Sequence, residues 1–274
     1  MEIAATLDGE LGRSGERVAV AGCGTSLHVA RAFAALRETS GAGETDAFPA
    51  SEFPDGTRRY DRLVAITRSG TTSEVLQLLD RIDDTPRTVV TADAASPAAS
   101  LADPAIALAF ADERSVVQTR FATTALALFR AHLGEDLGGA IDDGERALVE
   151  PLDPELSRFE HVVFLGHGWT TAIADEAALK LREATRTYSE SYPAMEYRHG
   201  PISLAGERSL VWILGSSDPT VADDVAATGA TVRVASLDPM AELVLVHRAA
   251  VALAEAKGLD PDHPAHLTRS VVLP

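Results

Sequence analysis

The feature that most constrains this chain is a pattern that occurs twice. Arg17-Val18-Ala19-Val20-Ala21 is a short apolar run that ends at Gly22-Cys23-Gly24-Thr25-Ser26 and passes into an Ala-rich helical segment through about Leu36. In the second half, His161-Val162-Val163-Phe164-Leu165 ends at Gly166-His167-Gly168-Trp169-Thr170 and passes into a helical segment containing Ala172 to Glu183. The next elements correspond as well. Leu63-Val64-Ala65-Ile66 leads through Thr67–Thr72 into a helix with Val75, Leu76, Leu78 and Leu79, and Leu210-Val211-Trp212-Ile213-Leu214 leads through Gly215-Ser216-Ser217-Asp218 into another. Thr88–Thr91 then matches Thr231–Ala235. Apolar strands alternating with helices predict an α/β protein whose parallel sheets are covered on both faces. Two copies are too few for a solenoid and predict two such units.

At 274 residues the chain is long enough to bury one large core or two smaller ones. The first half closes with a long helix expected from about Val116 to His132, and the Gly-, Asp- and Pro-rich stretch from Gly134 to Pro154 reads as a linker. Residues 258–274 contain prolines and little helical period, so they read as a tail laid over the body rather than a further domain. The expected divisions are therefore 1–137, 151–257 and the tail 258–274.

Charge narrows the partners. The formal net charge is −17 and no basic cluster occurs, so the chain lacks the Lys and Arg groups needed to displace counterions from nucleic acid. No apolar run is long enough to span a bilayer, and the acidic start lacks the basic-then-apolar pattern of a secretory signal. The single cysteine, Cys23, rules out an intramolecular disulfide and fits a reducing compartment, so a cytoplasmic location is expected. The acidic excess itself reads as a soluble or salt-adapted surface.

A small anion can still bind such a chain, because its site is local and built largely from backbone N–H groups. Thr67-Arg68-Ser69-Gly70-Thr71-Thr72 lies between an apolar strand and an amphipathic helix, at the carboxyl end of the strand, where parallel sheets place ligands. The helix start offers unpaired N–H donors, Gly70 permits close approach of an anion, and hydroxyls flank it. A structural alternative is a Ser/Thr-rich helix cap, with Thr71 or Thr72 as the capping residue and Glu74 in the first turn. The second-half counterpart, Ser216-Ser217-Asp218-Pro219, lacks the glycine and adds an acid that repels phosphate, so binding is expected in the first half.

Other signals are weaker. Gly22-x-Gly24 after a strand admits a dinucleotide site, with Glu44 and Asp46 near the spacing of a ribose-binding acid, but Leu27 stands where the third glycine of that fingerprint belongs. His263-x-x-His266 has no companion thiol or acids suited to zinc, and no metal is expected. Cys23 reads as a small residue packed beside a turn. In the second half, Glu176, Lys180 and Glu183 fall on one helical stripe amid Ala172, Ala174, Ala177, Ala178, Leu179 and Leu181. That is either a salt-bridged surface helix or a buried carboxylate tuned for acid–base work. His199, in the polar stretch before Gly200-Pro201, is a candidate proton carrier near neutral pH.

Taken together, Gly22-Cys23-Gly24-Thr25-Ser26, Thr67-Arg68-Ser69-Gly70-Thr71-Thr72, Ala178-Leu179-Lys180-Leu181-Arg182-Glu183, Arg198-His199-Gly200-Pro201 and Leu267-Thr268-Arg269-Ser270-Val271 resemble the sugar isomerase (SIS) family in its tandem form. The likeness includes the isomerase part of glucosamine-6-phosphate synthase and related amino-sugar phosphate deaminases and deglycases. It implies two three-layer αβα domains, each with a parallel five-stranded flavodoxin-like sheet. By the resemblance, Gly24, Thr25, Ser26, Thr67, Arg68, Ser69, Gly70 and Thr72 fall on phosphate-binding positions, and Val116 and Gln118 near the sugar. Glu183 matches the carboxylate that moves a proton between C1 and C2 of the open-chain sugar, and His199 a histidine implicated in ring opening. Family members often contribute that histidine from a neighbouring subunit, which implies a homodimer. No metal or organic cofactor is implied.

The pattern departs from the synthase in three ways. No glutaminase segment is present, which argues against glutamine-dependent synthesis unless a partner supplies ammonia. Arg269 stands in the catalytic position where the synthase has an imine-forming lysine, and an arginine does not readily form an imine. Arg68 replaces a neutral residue in the phosphate loop. The resulting expectation is a phosphosugar aldose–ketose isomerase or an amino-sugar phosphate deaminase acting on a substrate like glucosamine 6-phosphate or fructose 6-phosphate. The alternative is a sensor that binds the phosphosugar without turning it over.

Overall fold

Parallel strands buried on both faces need apolar residues at nearly every position, and β1 (Val18–Gly22), which follows a short helix α1 (Glu2–Thr6), is buried along its whole length. The computed structural model describes residues 2–7, 9–54, 56–82, 84–153 and 155–273. The chain divides into two compact units, one of Met1–Arg114, Gln118–Leu137 and Thr268–Pro274, the other of Ser115–Val117 and Gly138–Leu267.

In the first unit β1 is followed by α2 (Thr25–Thr39), β2 (Thr45–Pro49), β3 (Arg62–Ile66), α3 (Ser73–Arg81), β4 (Arg87–Thr91), α4 (Pro97–Ser100), β5 (Ala105–Ala107) and α5 (Arg120–His132). The five strands are parallel in the order β2-β1-β3-β4-β5. One sheet face packs Ala19, Ala21, Leu63 and Ala65 against Val75, Leu78 and Leu79 of α3 and Ala98 of α4. The spacing of Val75, Leu78 and Leu79 puts them on one helical stripe. α2 and α5 pack against each other, with Phe33 stacked on Phe129 at 4.2 Å between ring centroids. Each such fully buried apolar side chain contributes ~1.5–3 kcal/mol relative to leaving it exposed.

The second unit contains α6 (Gly138–Val149), β6 (His161–Gly166), α7 (Thr170–Thr185), β7 (Tyr188–Pro193), β8 (Ser209–Leu214), α8 (Thr220–Ala226), β9 (Thr231–Val234) and α9 (Pro239–Ala256). Its sheet is parallel in the order β7-β6-β8-β9. The order matches that of the first sheet, but this sheet has four described strands rather than the expected five. The reason lies in the connection after β9. Ala235–Asp238 leads directly into α9, leaving no length for a further helix and strand. That connection is pinned by Glu242, fully buried, which accepts hydrogen bonds from the backbone of Ser236 (3.0 Å) and Leu237 (3.3 Å) and from the Trp212 indole (3.1 Å).

Two further expectations are corrected. The stretch taken as a linker contains α6, which packs against α9. Helix α5 begins at Arg120 rather than near Val116, because the Glu113 carboxylate accepts from the backbone N–H groups of Thr119, Arg120 and Phe121 and ends the preceding loop there. Among the described residues, no helix is long and apolar enough to cross a membrane.

The repeat is physically the same in both units. A Cβ on Gly22 would lie 2.7 Å from the Ser26 backbone, and one on Gly166 would lie 2.2 Å from the Thr170 carbonyl oxygen. Both glycines let a strand end and the next helix meet closer than any side chain allows. The second glycine of each pair, Gly24 or Gly168, adopts φ of 54° or 57° and turns the chain into that helix. Gly166→Ala is therefore expected to cost ~1–3 kcal/mol in denaturant unfolding through overpacking. Gly144→Ala, in α6 with no atom within 4 Å of its added Cβ, is expected to stabilise by ~0.5–1 kcal/mol. Equal effects of the two substitutions would refute this account.

Candidate functional site

In the first sheet the strand order reverses between β1 and β3, and an open parallel sheet takes ligands in the crevice at that reversal, beyond the carboxyl ends of the strands. The turns after β1 and β3 carry Gly24, Thr25 and Ser26 on one side and Thr67–Thr72 on the other. Thr25 and Ser26 are the first residues of α2 and are buried, as are Thr67 and Arg68. The Thr67 hydroxyl is buried without a hydrogen-bond partner among the described residues. Leaving such a group unsatisfied costs ~1–3 kcal/mol, a cost that a ligand oxygen would remove. Gly70 has φ of 64°, and a Cβ there would lie 2.0 Å from Ser96 Oγ, so the loop can close against α4 only with glycine at this position.

The helix-cap alternative is not realised. Thr72 is the N-cap residue of α3 but makes no side-chain cap bond, and the Thr71 hydroxyl donates to Ser69 Oγ at 2.9 Å. The C-terminal segment takes that place. Val271 O accepts from Ser73 N at 3.0 Å, Leu273 N donates to Ser73 Oγ at 2.8 Å, and the Thr71 and Ser270 hydroxyls are 2.9 Å apart. Charged groups hold the segment down. Arg68 donates to Arg269 O at 3.4 Å and lies 3.9 Å from the Glu113 carboxylate, while the Arg269 guanidinium donates to Glu113 O and to the Asp112 carboxylate. Burial alone would raise the Asp112 carboxyl, but the hydrogen bond from Arg269, the backbone N–H of Glu113 and the charges of Arg269 and Arg68 hold it below the ordinary range.

Sequence reasoning did not anticipate Asp112 and Glu113. Glu113 stands six residues ahead of the N-cap Thr119, so the usual cap spacing gave no signal. Gln118 belongs to the first unit and its Oε1 is buried without a partner among the described residues, whereas Val116 lies in the second unit and donates its N–H to Asp262 O at 3.0 Å. Burial first, and then the charge of Glu74, push the Cys23 thiol up, which keeps it protonated.

In the second unit the stripe on α7 is both ion-paired and buried, so the two sequence alternatives merge. Lys180 Nζ lies 3.6 Å from Glu176 and bonds to Glu183; Glu176 and Lys180 are almost fully enclosed, while the Glu183 side chain is 20% exposed. Burial here is made possible by alanines, which let α7 approach α9 closely. His247 of α9, which sequence reasoning missed among apolar neighbours, has a buried Nε2 without a partner among the described residues. Burial and the charge of Lys180 push its pKa down to about 3, so the ring is neutral near pH 7. His199 lies exposed in a short helical turn, Glu196–His199, after β7 and makes no hydrogen bond to Glu183. Among the described residues no group of three or more His, Cys, Asp or Glu is placed to hold a metal ion.

The tail contacts carry a pH dependence with a defined sign. Because Asp112 is held low in the fold, its tie to Arg269 contributes fully above about pH 4 and is lost as the pH falls through its lower folded value. Amide exchange at Ser73 and Leu273 should therefore quicken at acid pH before global unfolding, and Asp112→Asn should produce the same loss of protection at neutral pH. Unchanged protection in the variant would refute the anchor.

Residues 155–241 match the SIS domain family. Over 303 aligned residues the chain is 26% identical to a glutamine–fructose-6-phosphate aminotransferase (isomerizing) from Sulfurisphaera tokodaii, covering 95% of this chain and 51% of the relative. The chain thus spans about half the length of the curated relatives it matches. The crystal structure of glucosamine-6-phosphate deaminase from Thermotoga maritima superposes with a TM-score of 0.83 at 25% identity, covering 99% of this chain and 95% of that one. The C-terminal domain of glucosamine-fructose-6-phosphate aminotransferase from Francisella tularensis gives 0.78 at 22% identity, covering 96% and 93%, a likeness of fold. The second unit therefore contains a match to the SIS domain, and the fold of the chain is that of the Thermotoga maritima deaminase and of the C-terminal domain of the Francisella tularensis aminotransferase.

Proposed function

We propose that this protein is a phosphosugar aldose–ketose isomerase or an amino-sugar phosphate deaminase. The observation that carries the reading is the crevice between the turns after β1 and β3, where the Thr67 hydroxyl is buried without a partner among the described residues and the Arg68 side chain is buried as well. A phosphate monoester there would satisfy the Thr67 hydroxyl and gain a charge-assisted bond from a neighbouring N–H or guanidinium group. The relatives named above act in this substrate class, which supports the reading.

In this proposal Gly24, Thr25, Ser26, Thr67, Arg68, Ser69, Gly70 and Thr72 hold the phosphate, and Val116 and Gln118 adjoin the sugar. Glu183 then removes the proton at C2 or C1 of the open-chain sugar, the electrons pass into an enediol or enolamine, and the proton returns to the adjacent carbon. Lys180, bonded to Glu183, orients that carboxylate. His199 assists ring opening across a homodimer interface. Arg269, held by Asp112, positions the tail beside the phosphate loop rather than forming an imine. The remote phosphate supplies binding energy that holds the reacting carbons in place.

Incubation with glucosamine 6-phosphate and with fructose 6-phosphate plus ammonia, assaying ammonia and ketose, tests the reading. Turnover is expected to fall by ~10²–10⁴-fold in Glu183→Gln, the usual contribution of a positioned acid–base group. Unchanged turnover in that variant removes Glu183 from the mechanism, and tight phosphosugar binding without any turnover makes the protein a sensor. Mixing Glu183→Gln with His199→Asn should restore activity if the histidine crosses between subunits; two variants that stay inactive when mixed would overturn that sharing.

A further inference from the structure

The two sheets differ in the connection that leaves their fourth strand. After β4 the chain runs into α4 and β5, and the start of that segment packs on the β3–α3 loop: Ser96 Oγ occupies the space a Gly70 Cβ would need, and Ala98 N donates to Gly70 O at 3.0 Å. After β9 the chain enters α9 at once, so the second unit has no counterpart of α4 among its described residues. In its place a cleft of about 500 Å³ opens between the β8–α8 turn and the β9–α9 connection. It lies at the carboxyl ends of β8 and β9, the end of a parallel sheet at which ligands bind. Its volume falls within the usual range of small-molecule pockets, ~300–1,000 Å³.

The lining specifies a chemistry. Pro219, Ala222 and Leu237 supply apolar wall, and Ser216, Ser217 and Ser236 supply hydroxyls. Among the described residues, no Lys or Arg lines the cleft. Two acids adjoin lining residues in sequence: Asp218 accepts from Thr220 N at 2.9 Å, and Asp238 accepts from Met240 N at 2.9 Å. Those bonds keep the acids in use as helix-start acceptors, and the Thr220 contacts hold the Asp218 carboxyl low. Arg198 lies 4.0 Å from Asp218 but is engaged by Asp224 at 2.9 Å and by Thr220. Among the described residues the lining offers an anion no cation, and the nearest acids in sequence add negative charge, so a phosphate group is disfavoured here.

We infer that this cleft binds an uncharged, hydroxyl-bearing ring compound, the class of an unphosphorylated sugar, distinct from the phosphate crevice of the first unit. The C–H face of such a ring covers Pro219, Ala222 and Leu237, while its hydroxyls exchange hydrogen bonds with the three serines. The inference does not depend on the catalytic reading.

The test is an NMR titration of the full isotope-labelled chain with glucose, and separately with glucose 6-phosphate. Glucose is expected to produce saturable shifts at the amides of Ser216, Ser217, Ser236 and Leu237, with a Kd of about 1 mM or weaker, as befits a small neutral ligand. Ala222→Trp and Ser217→Trp each fill the cleft, and both should abolish these shifts while leaving the glucose 6-phosphate response at Thr67–Thr72 intact. Absence of glucose shifts at the cleft, or their survival in both folded variants, overturns the inference. Stronger cleft shifts from glucose 6-phosphate than from glucose would overturn the charge argument. Loss of the response at Thr67–Thr72 alone would count against the phosphate crevice and leave the cleft assignment standing.

Discussion

The rest of this structure depends on how closely a strand end meets the helix beyond it. At Gly22 and at Gly166 the backbone of the next helix stands where a Cβ would be, 2.7 Å from Ser26 and 2.2 Å from Thr170. That approach brings α2 and α7 down onto their sheets and exposes the helix starts at the carboxyl end of the strands. Side chains placed there are set by the sheet rather than by a flexible loop, and Thr25, Ser26 and Thr67 are all buried at that end of the sheet.

A chain with a net charge of −17 must build any anion site locally. In the proposed phosphate site the local field comes from backbone N–H groups at two helix starts and from Arg68 and Arg269. The two arginines are themselves kept in place by acids: Glu113 holds the α5 start and faces Arg68, and Asp112 binds Arg269. The same network ties the C-terminal segment to the loop. In the second unit the corresponding arrangement is inverted, since Lys180 stands between Glu176 and Glu183 and the single cation orders two carboxylates.

The repeat, the central strands and the helices flanking them were legible because buried parallel strands are continuous apolar runs. The edge strands were not. β2, with Thr45 and Asp46, and β7, with Tyr188, Ser189, Glu190 and Ser191, lack a continuous apolar run because an edge strand faces solvent on one side and carries charges that discourage further pairing. At β7, Glu190 is held by Tyr188 and His161, so its charge is satisfied within the edge. The stretch taken as a linker is a helix because Ala147 is buried as α6 packs against α9, a contact that local composition does not reveal. The lack of a fifth strand among the described residues of the second sheet results from a short connection whose length is plain in the sequence but whose meaning needed the position of β9.

The sequence by itself determined the α/β class, the duplication, the crevice-lining loop and the stripe that carries Glu183, because each rests on local periodicity or on glycines with steric necessity. Only the tertiary structure decided which groups surround those residues. That the Thr67–Thr72 loop is closed by Val271 and Ser270 rather than by its own hydroxyls depends on pairs separated by about two hundred positions, and no local pattern encodes them. Glu113 as the cap of α5, His247 as a neutral ring near Lys180, and the cleft left open beyond β9 are likewise consequences of packing, where burial and long-range contact rather than residue type assign the role.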